Sequence, residues 1–250
     1  MIPDKNSVAA VILAAGIGKR MNSDLPKVLH RVAGRCLVEY VIESVTQAGI
    51  DNIVLVVGHK YELVQKQLNG RGLKFAVQQP QLGTGHAVQM ALPILGDFAG
   101  DLLVLNGDMP LVTANTIAGL AAKRRQSGSA ATVLTAILDH PASYGRIVRD
   151  QQGFLEAIVE YRDADDVTKS IKEINTGAFC FDFKELVPCL RRLKADNVQA
   201  EYYITDIISL MREQGLKVSA LVSDDPKQGL GVNSLAELAE MELIIREQKK

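Results

Sequence analysis

The sequence is short of several things that would each mark a class of protein. Its 250 residues hold only three cysteines, Cys36, Cys180 and Cys189, which are odd in number, far apart and never arranged as CxxC. That argues against a disulfide framework and against a thiolate zinc site, and it suits a reducing cytoplasm, the expected location. Neither charge is in surplus: 28 basic and 29 acidic residues nearly cancel, so the overall field favours no nucleic acid, and any phosphate site must be local. No stretch approaches the roughly 18 uninterrupted apolar residues of a spanning helix, so no membrane insertion is expected. The early apolar run at residues 8–15 is no better as a signal peptide, because Asp4 offsets Lys5 and the residues that follow are glycine-rich and basic. There is no low-complexity linker and no internal repeat, including the hexapeptide period of a left-handed β-helix. With 47% hydrophobic residues, the chain has material for a full core in one compact unit.

What is present is a rhythm of strands and helices. Residues 8–15 form a short, partly β-branched apolar run ending at Gly16, the pattern of a parallel strand covered on both faces. Leu37, Val38, Val41, Ile42, Val45 and Ala48 then recur at helical spacing and stop at Gly49. Further strands are expected at 52–58, 75–78 and 101–106, and further helices through Leu63, Val64 and Leu68 and at 85–95 and 117–125. This alternation predicts an α/β, Rossmann-like fold: a mostly parallel central sheet flanked by helices, with ligands at the carboxyl ends of its strands. The second half loses the regularity. Strands at 130–138, 145–149, 154–160 and 178–183 suggest a smaller mixed, partly antiparallel extension, followed by helices at 202–214 and from 235 to about 248.

Directly after the first strand comes Leu13-Ala14-Ala15-Gly16-Ile17-Gly18-Lys19-Arg20-Met21, with Pro26-Lys27 close behind. Glycines let a backbone turn sharply and bring its N–H groups against phosphate oxygens, while Arg20 and Lys27 supply fixed positive charge. The segment is neither a dinucleotide fingerprint, whose third small residue would fall at Met21, nor a Walker loop, since Gly18-Lys19 precedes Arg20 with no glycine five positions earlier. Taken alone, it is also compatible with a solvated βα turn.

Together with the motifs that follow it, this loop resembles that of the sugar-phosphate nucleotidyltransferases, and among them the N-acetylglucosamine-1-phosphate uridylyltransferase domains of bacteria. Gln78, Gln81-Leu82-Gly83-Thr84-Gly85-His86-Ala87, Asn106-Gly107-Asp108-Met109-Pro110, Tyr144-Gly145-Arg146-Ile147, Val159-Glu160, Glu173-Ile174-Asn175-Thr176-Gly177, Glu201-Tyr202-Tyr203-Ile204-Thr205-Asp206 and Gly231-Val232-Asn233 stand in the family's order along nearly the whole chain. Lys19 stands where the family often has Thr, and Arg162 is a second small departure.

The resemblance implies roles. Leu13, Ala14, Ala15, Gly16, Gly18, Gln78, Gln81, Gly83, Thr84, Asn106 and Gly107 would bind the nucleotide. Gly145, Glu160, Asn175, Tyr203 and Thr205 would line the sugar pocket, Asp108 and Asn233 would hold Mg2+, and Arg20 and Lys27 would be catalytic. Without it, Gln78 reads as a solvent-facing residue at a strand end, Asp108 as a turn former, and Glu160 and Asn175 as ordinary strand-end residues. The pairing of Asp108 with Asn233 comes from the family only. His30, His59, His86 and His140 show no metal spacing and read as structural or surface residues.

The implied reaction joins UTP and N-acetylglucosamine-1-phosphate with release of pyrophosphate. Within residues 1–250, read as one nucleotidyltransferase domain, residues 1–128 would be the nucleotide half, 129–233 the sugar half and 234–250 a C-terminal helix. The acetyltransferase β-helix of the bifunctional members is absent from the sequence, so no acetyltransferase activity is expected. Two rival readings remain: a glucose-1-phosphate or dTTP user sharing the same loop, and a catalytically silent nucleotide-binding subunit. Retention of Arg20, Lys27, Asp108 and Asn233 together speaks against the second.

Overall fold

The structure, a computed structural model, describes residues 7–248. Strand β1 (Val8–Ala14) leads through a small hairpin, β2 (Arg31–Val32) and β3 (Arg35–Cys36), into helix α1 (Leu37–Gln47). The alternation continues with β4 (Asn52–Val57), α2 (Tyr61–Gln67), β5 (Lys74–Val77), α3 (Thr84–Leu95), β6 (Asp101–Asn106) and α4 (Ala114–Ser127). The second half holds β7 (Ala131–Ile137), β8 (Arg146–Arg149), β9 (Leu155–Val159), α5 (Asp166–Lys169), β10 (Glu173–Asp182), α6 (Phe183–Leu190), α7 (Asp206–Glu213), β11 (Val218–Val222) and α8 (Leu235–Glu247). The last two residues of the terminal helix expected over 234–250 lie outside the described residues.

The main sheet runs β11-β7-β10-β6-β1-β4-β5, with β8 and β9 attached as an antiparallel ribbon on β10. Pairing is parallel throughout except at β10, which runs against both of its neighbours β6 and β7. The chain leaves β1 for β4 on one side and later crosses to β6 on the other. The strand order therefore reverses at β1, and a crevice opens there at the carboxyl ends, where open α/β sheets bind ligands.

Strand β1 shows why this sequence buries both faces. Ala9 and Val11 point into a core shared with α3, α6 and α7, whereas Ala10, Ile12 and Ala14 point into a second core with α1, α2 and α4. An alternating chain covered on both sides needs apolar residues at every position, which is what the run at 8–14 supplies. Helix α8 closes a third, smaller cluster with Met21, Val32, Leu37 and Val232, behind the loop that follows β1. At the opposite end of the sheet, Asp101 at the start of β6 is fully buried and ion-paired with Arg124 and Arg125 from α4.

Several elements differ from the sequence expectation. The helix expected over 202–214 begins only at Asp206, because residues 202–204 are claimed by the loop before α3. Tyr202 N donates to Leu82 O (2.8 Å), Gly85 N to Tyr202 O (2.7 Å) and Ile204 N to Thr84 Oγ1 (3.0 Å). The strand expected at 178–183 starts five residues earlier, at Glu173, and its register shifts between Asn175 and Phe179. Asn175 Oδ1 accepts from Gly177 N there (3.0 Å), a local turn that reads in sequence as a strand end. Helix α6, which carries Pro188 inside it, and edge strand β11 were not expected at all.

Candidate active site

Two cavities open side by side at the carboxyl ends of β1 and β6. The larger, about 560 Å³, is walled by Leu13, Ala15, Gly16 and Gly18 from the first loop, Lys27, and Gln78, Gln81, Gly83 and Thr84 from the segment between β5 and α3. The smaller, about 270 Å³, is walled by Arg20, Gly145, Glu160, Asn175 and Thr205. Thr84, Asn106, Asp108 and Asn233 belong to both walls, so the cavities meet along them.

The loop between β1 and Lys27 is shaped by backbone contacts. Gly18 is left-handed at φ +68°, and a Cβ there would stand 2.8 Å from Lys27 Cβ. Only glycine allows both the turn and the close approach of Lys27. Gln81 Nε2 donates to Ala15 O (2.7 Å), so this amide fastens the loop as well as lining the cavity. Gly83 (φ +109°) sits against the backbone of Tyr202, where a Cβ would lie 2.6 Å from Tyr202 O.

At the junction, Lys27 Nζ donates to the Asp108 carboxylate and to Asn233 Oδ1 (3.0 Å). The distant Asn233 reaches this point because its segment is tied down on both sides: Val232 N donates to Asp108 O (3.0 Å) and Gly231 N to Tyr144 Oη (3.1 Å). The other carboxylate oxygen, Asp108 Oδ1, is buried with no hydrogen-bond partner. A buried carboxylate oxygen stripped of water is costly unless a cation or donor satisfies it. Among the described residues no group of three or more His, Cys, Asp or Glu could hold a metal by itself. A divalent ion at Asp108 and Asn233 would instead complete its shell with phosphate oxygens and water, the manner in which Mg2+ is held. The donor set fits such an ion.

The smaller cavity is built from buried side chains. Thr205 Oγ1 donates to Glu160 Oε1 (3.1 Å), and burial pushes the Glu160 carboxyl above its ordinary range despite that bond. Asn175 N donates to Gly145 O (2.9 Å), joining β10 to the loop before β8. That loop is held from within by Arg146, which is almost fully buried and donates to the carbonyls of Ala142 (2.9 Å), Tyr144 and Lys169 (3.2 Å).

Three of the residues singled out in the sequence are not on either wall. Ala14 is packed into the α1-side core. Gly107 extends the ladder between β1 and β6 by donating its N–H to Leu13 O (2.9 Å). Tyr203 is buried, with its hydroxyl accepting from Gln199 Nε2 (2.7 Å). Conversely, Arg162, Gln199 and Glu201 line the larger cavity and Ser143, Tyr144 and Glu237 the smaller. Tyr144 and Glu201 stand inside the quoted motifs and Arg162 was noted only as a departure, while Ser143, Gln199 and Glu237 had no sequence signal beyond proximity to those motifs.

Residues 10–174 match the family described as the MobA-like NTP transferase domain. The chain belongs to that family. It is accordingly an enzyme of the nucleotidyltransferase type. Similar curated relatives include proteins named bifunctional protein GlmU from Bacillus cereus (strain G9842), Bacillus thuringiensis (strain Al Hakam) and Bacillus anthracis (strain CDC 684 / NRRL 3495). Each is 47% identical over 237 residues, covering 95% of this chain and 51% of the relative. The chain thus spans about half the length of those relatives. A solved structure assigned as a glucose-1-phosphate thymidylyltransferase from Bacillus anthracis, in complex with a sucrose, shares the fold with a TM-score of 0.77. It is 18% identical and the match covers 96% of both chains. Among the described residues, no helix is long and apolar enough to cross a membrane.

Proposed function

We propose that the chain transfers the uridylyl group of UTP to N-acetylglucosamine-1-phosphate with Mg2+, giving UDP-N-acetylglucosamine, a cell-envelope precursor, and pyrophosphate in the cytoplasm. The observation that carries this reading is the junction at Asp108 and Asn233, which lets one pocket hold a nucleotide and its neighbour a sugar phosphate with their phosphates in contact. The relatives at 47% identity support it over 95% of the chain. We further propose one domain whose residues 1–128 serve the nucleotide and 129–233 the sugar.

The phosphomonoester of the acceptor is already ionised at neutral pH, so its oxygen attacks the α-phosphorus with no general base. Catalysis reduces to positioning and charge. Two polyanions must meet, and each pair of unit charges about 4 Å apart repels by about 1 kcal/mol even in bulk water. Lys27 in the larger cavity and Arg20 in the smaller offset that repulsion from both sides. A divalent ion bound at Asp108 and Asn233 would supply further positive charge to the phosphates. The backbone of residues 13–18 holds the triphosphate, while Glu160, Asn175 and Thr205 orient the sugar hydroxyls, so that attack is in line with the departing pyrophosphate.

The test is pyrophosphate release from UTP with and without Mg2+, comparing N-acetylglucosamine-1-phosphate with glucose-1-phosphate. Release with the first, dependent on Mg2+, is expected. Release only with glucose-1-phosphate would overturn the sugar assignment, and tight UTP binding without turnover on any acceptor would indicate a silent subunit.

A further inference from the structure

We infer that His86 is a positioning residue for base selection: it takes the second amide proton of Gln78, so that the cleft presents the Gln78 carbonyl alone and favours a pyrimidine with an imide N–H, uracil or thymine, over cytosine. The inference rests on the proposed use of the larger cavity for the nucleotide, and it concerns a histidine that the sequence motifs left without a role.

Gln78 follows β5, is 3% exposed and stands in the wall of the larger cavity. Its Nε2 lies 2.9 Å from Gly83 O and 3.1 Å from His86 Nδ1. A backbone carbonyl can only accept, so the amide atom facing Gly83 O is the nitrogen. Its two protons are divided between Gly83 O and His86 Nδ1. That division requires Nδ1 to be unprotonated and the ring proton to sit on Nε2. Burial pushes the His86 pKa down, which keeps the ring neutral at pH 7.

Oε1 is then the one polar atom of the Gln78 side chain left for a ligand. A carbonyl oxygen accepts from N3–H of uracil or thymine, but it meets the N3 lone pair of cytosine acceptor against acceptor. Gly83 O by itself claims a single proton. Without His86 the other N–H loses its partner in a buried place, the Gly83 O bond alone holds the amide in this orientation, and the energy opposing its turn toward a ligand acceptor such as cytosine N3 falls by one hydrogen bond.

The experiment measures kcat/KM and competition binding for UTP and CTP with the wild type, His86→Leu, His86→Asn and Gln78→Ala. His86→Leu is expected to lower the UTP to CTP preference about tenfold, the worth of one ordinary hydrogen bond. His86→Asn, whose Oδ1 can stand in for Nδ1, keeps the preference near that of the wild type. Loss of fold lowers both nucleotides together, and the binding ratio reads selection independently of turnover. A wild-type ratio in His86→Leu, with UTP binding weakened in Gln78→Ala, overturns the role of His86 and leaves the nucleotide pocket standing. Unchanged UTP binding in Gln78→Ala overturns the pocket assignment and this inference with it.

Discussion

The two cavities are built by different means. The larger takes much of its wall from the glycine-rich loop at residues 13–18 and from the amides of Gln78 and Gln81, with Lys27 and Arg162 as its cations. The smaller is mostly side chain, with half-buried Glu160 on its wall and half-buried Asp206 just behind at the start of α7. A backbone-made pocket suits a triphosphate, whose charge is recognised by N–H groups and a cation. A pocket lined by carboxylate, amide and hydroxyl side chains suits the polyol part of a sugar phosphate, with Arg20 on the same wall for its phosphate. The contrast teaches that the two halves should fail differently when damaged.

The largest effect is expected at the lysine of the larger cavity, which bonds to the shared Asp108 and Asn233. Lys27→Ala should lower kcat on the order of 10²–10³, by analogy with losing one preorganised donor. A variant of near wild-type turnover would remove Lys27 from the chemistry. Gly83→Ala tests whether the halves are separable at all, since its Cβ would collide with Tyr202 of the segment that leads to Thr205. It should cost about 3 kcal/mol in urea unfolding, from left-handed strain and that clash, and should weaken both substrates. Weakening of the nucleotide alone would show the pockets to be independent.

Glu160→Gln sharpens the contrast at lower cost. Replacing a charged acceptor by a neutral one should raise KM for the sugar phosphate about tenfold and leave KM for UTP unchanged; a matched rise in both would contradict the division. The smallest effect is expected at Asp206, whose carboxyl is pushed up to about 6, chiefly by burial and then by Asp163. Its folded pKa lies above the unfolded value, so the folded state holds the proton more tightly. Stability therefore falls as pH rises from about 4 through about 6. Asp206→Asn should raise stability by about 1 kcal/mol at pH 7, after allowing for solvent screening, and give nothing at pH 4. Thermal unfolding at the two pH values checks the sign.

The same contrast explains what could be read from the sequence. The first loop was legible because a backbone-made site is local: β1 is a continuous apolar run, and Gly16, Gly18, Arg20 and Lys27 follow within a few residues. The alternation up to α4 was legible for the same reason, each βα unit carrying its own period. The smaller cavity takes Gly145, Glu160, Asn175 and Thr205 from four separate segments, and no spacing connects them. Residues 202–204 were misjudged as helix because their apolar pattern suits one, while their hydrogen bonds go to residues 82–85, about 120 positions away. The bond from Gln78 to His86 was hidden for another reason: a histidine eight residues along looks like an ordinary helix residue until the loop between them is folded.

Asp101 and its two arginines sit at the end of the sheet away from all of this. That separation divides the labour of the molecule: one rim pins α4 to the sheet, and the other carries the loops that wall the two cavities. Such a chassis is free to diversify. The segment at residues 78–86 and the loop at 142–145 are the places where a lineage, or an engineer, could change the base or the acceptor, while the pairing of β6 with α4 below keeps the frame intact.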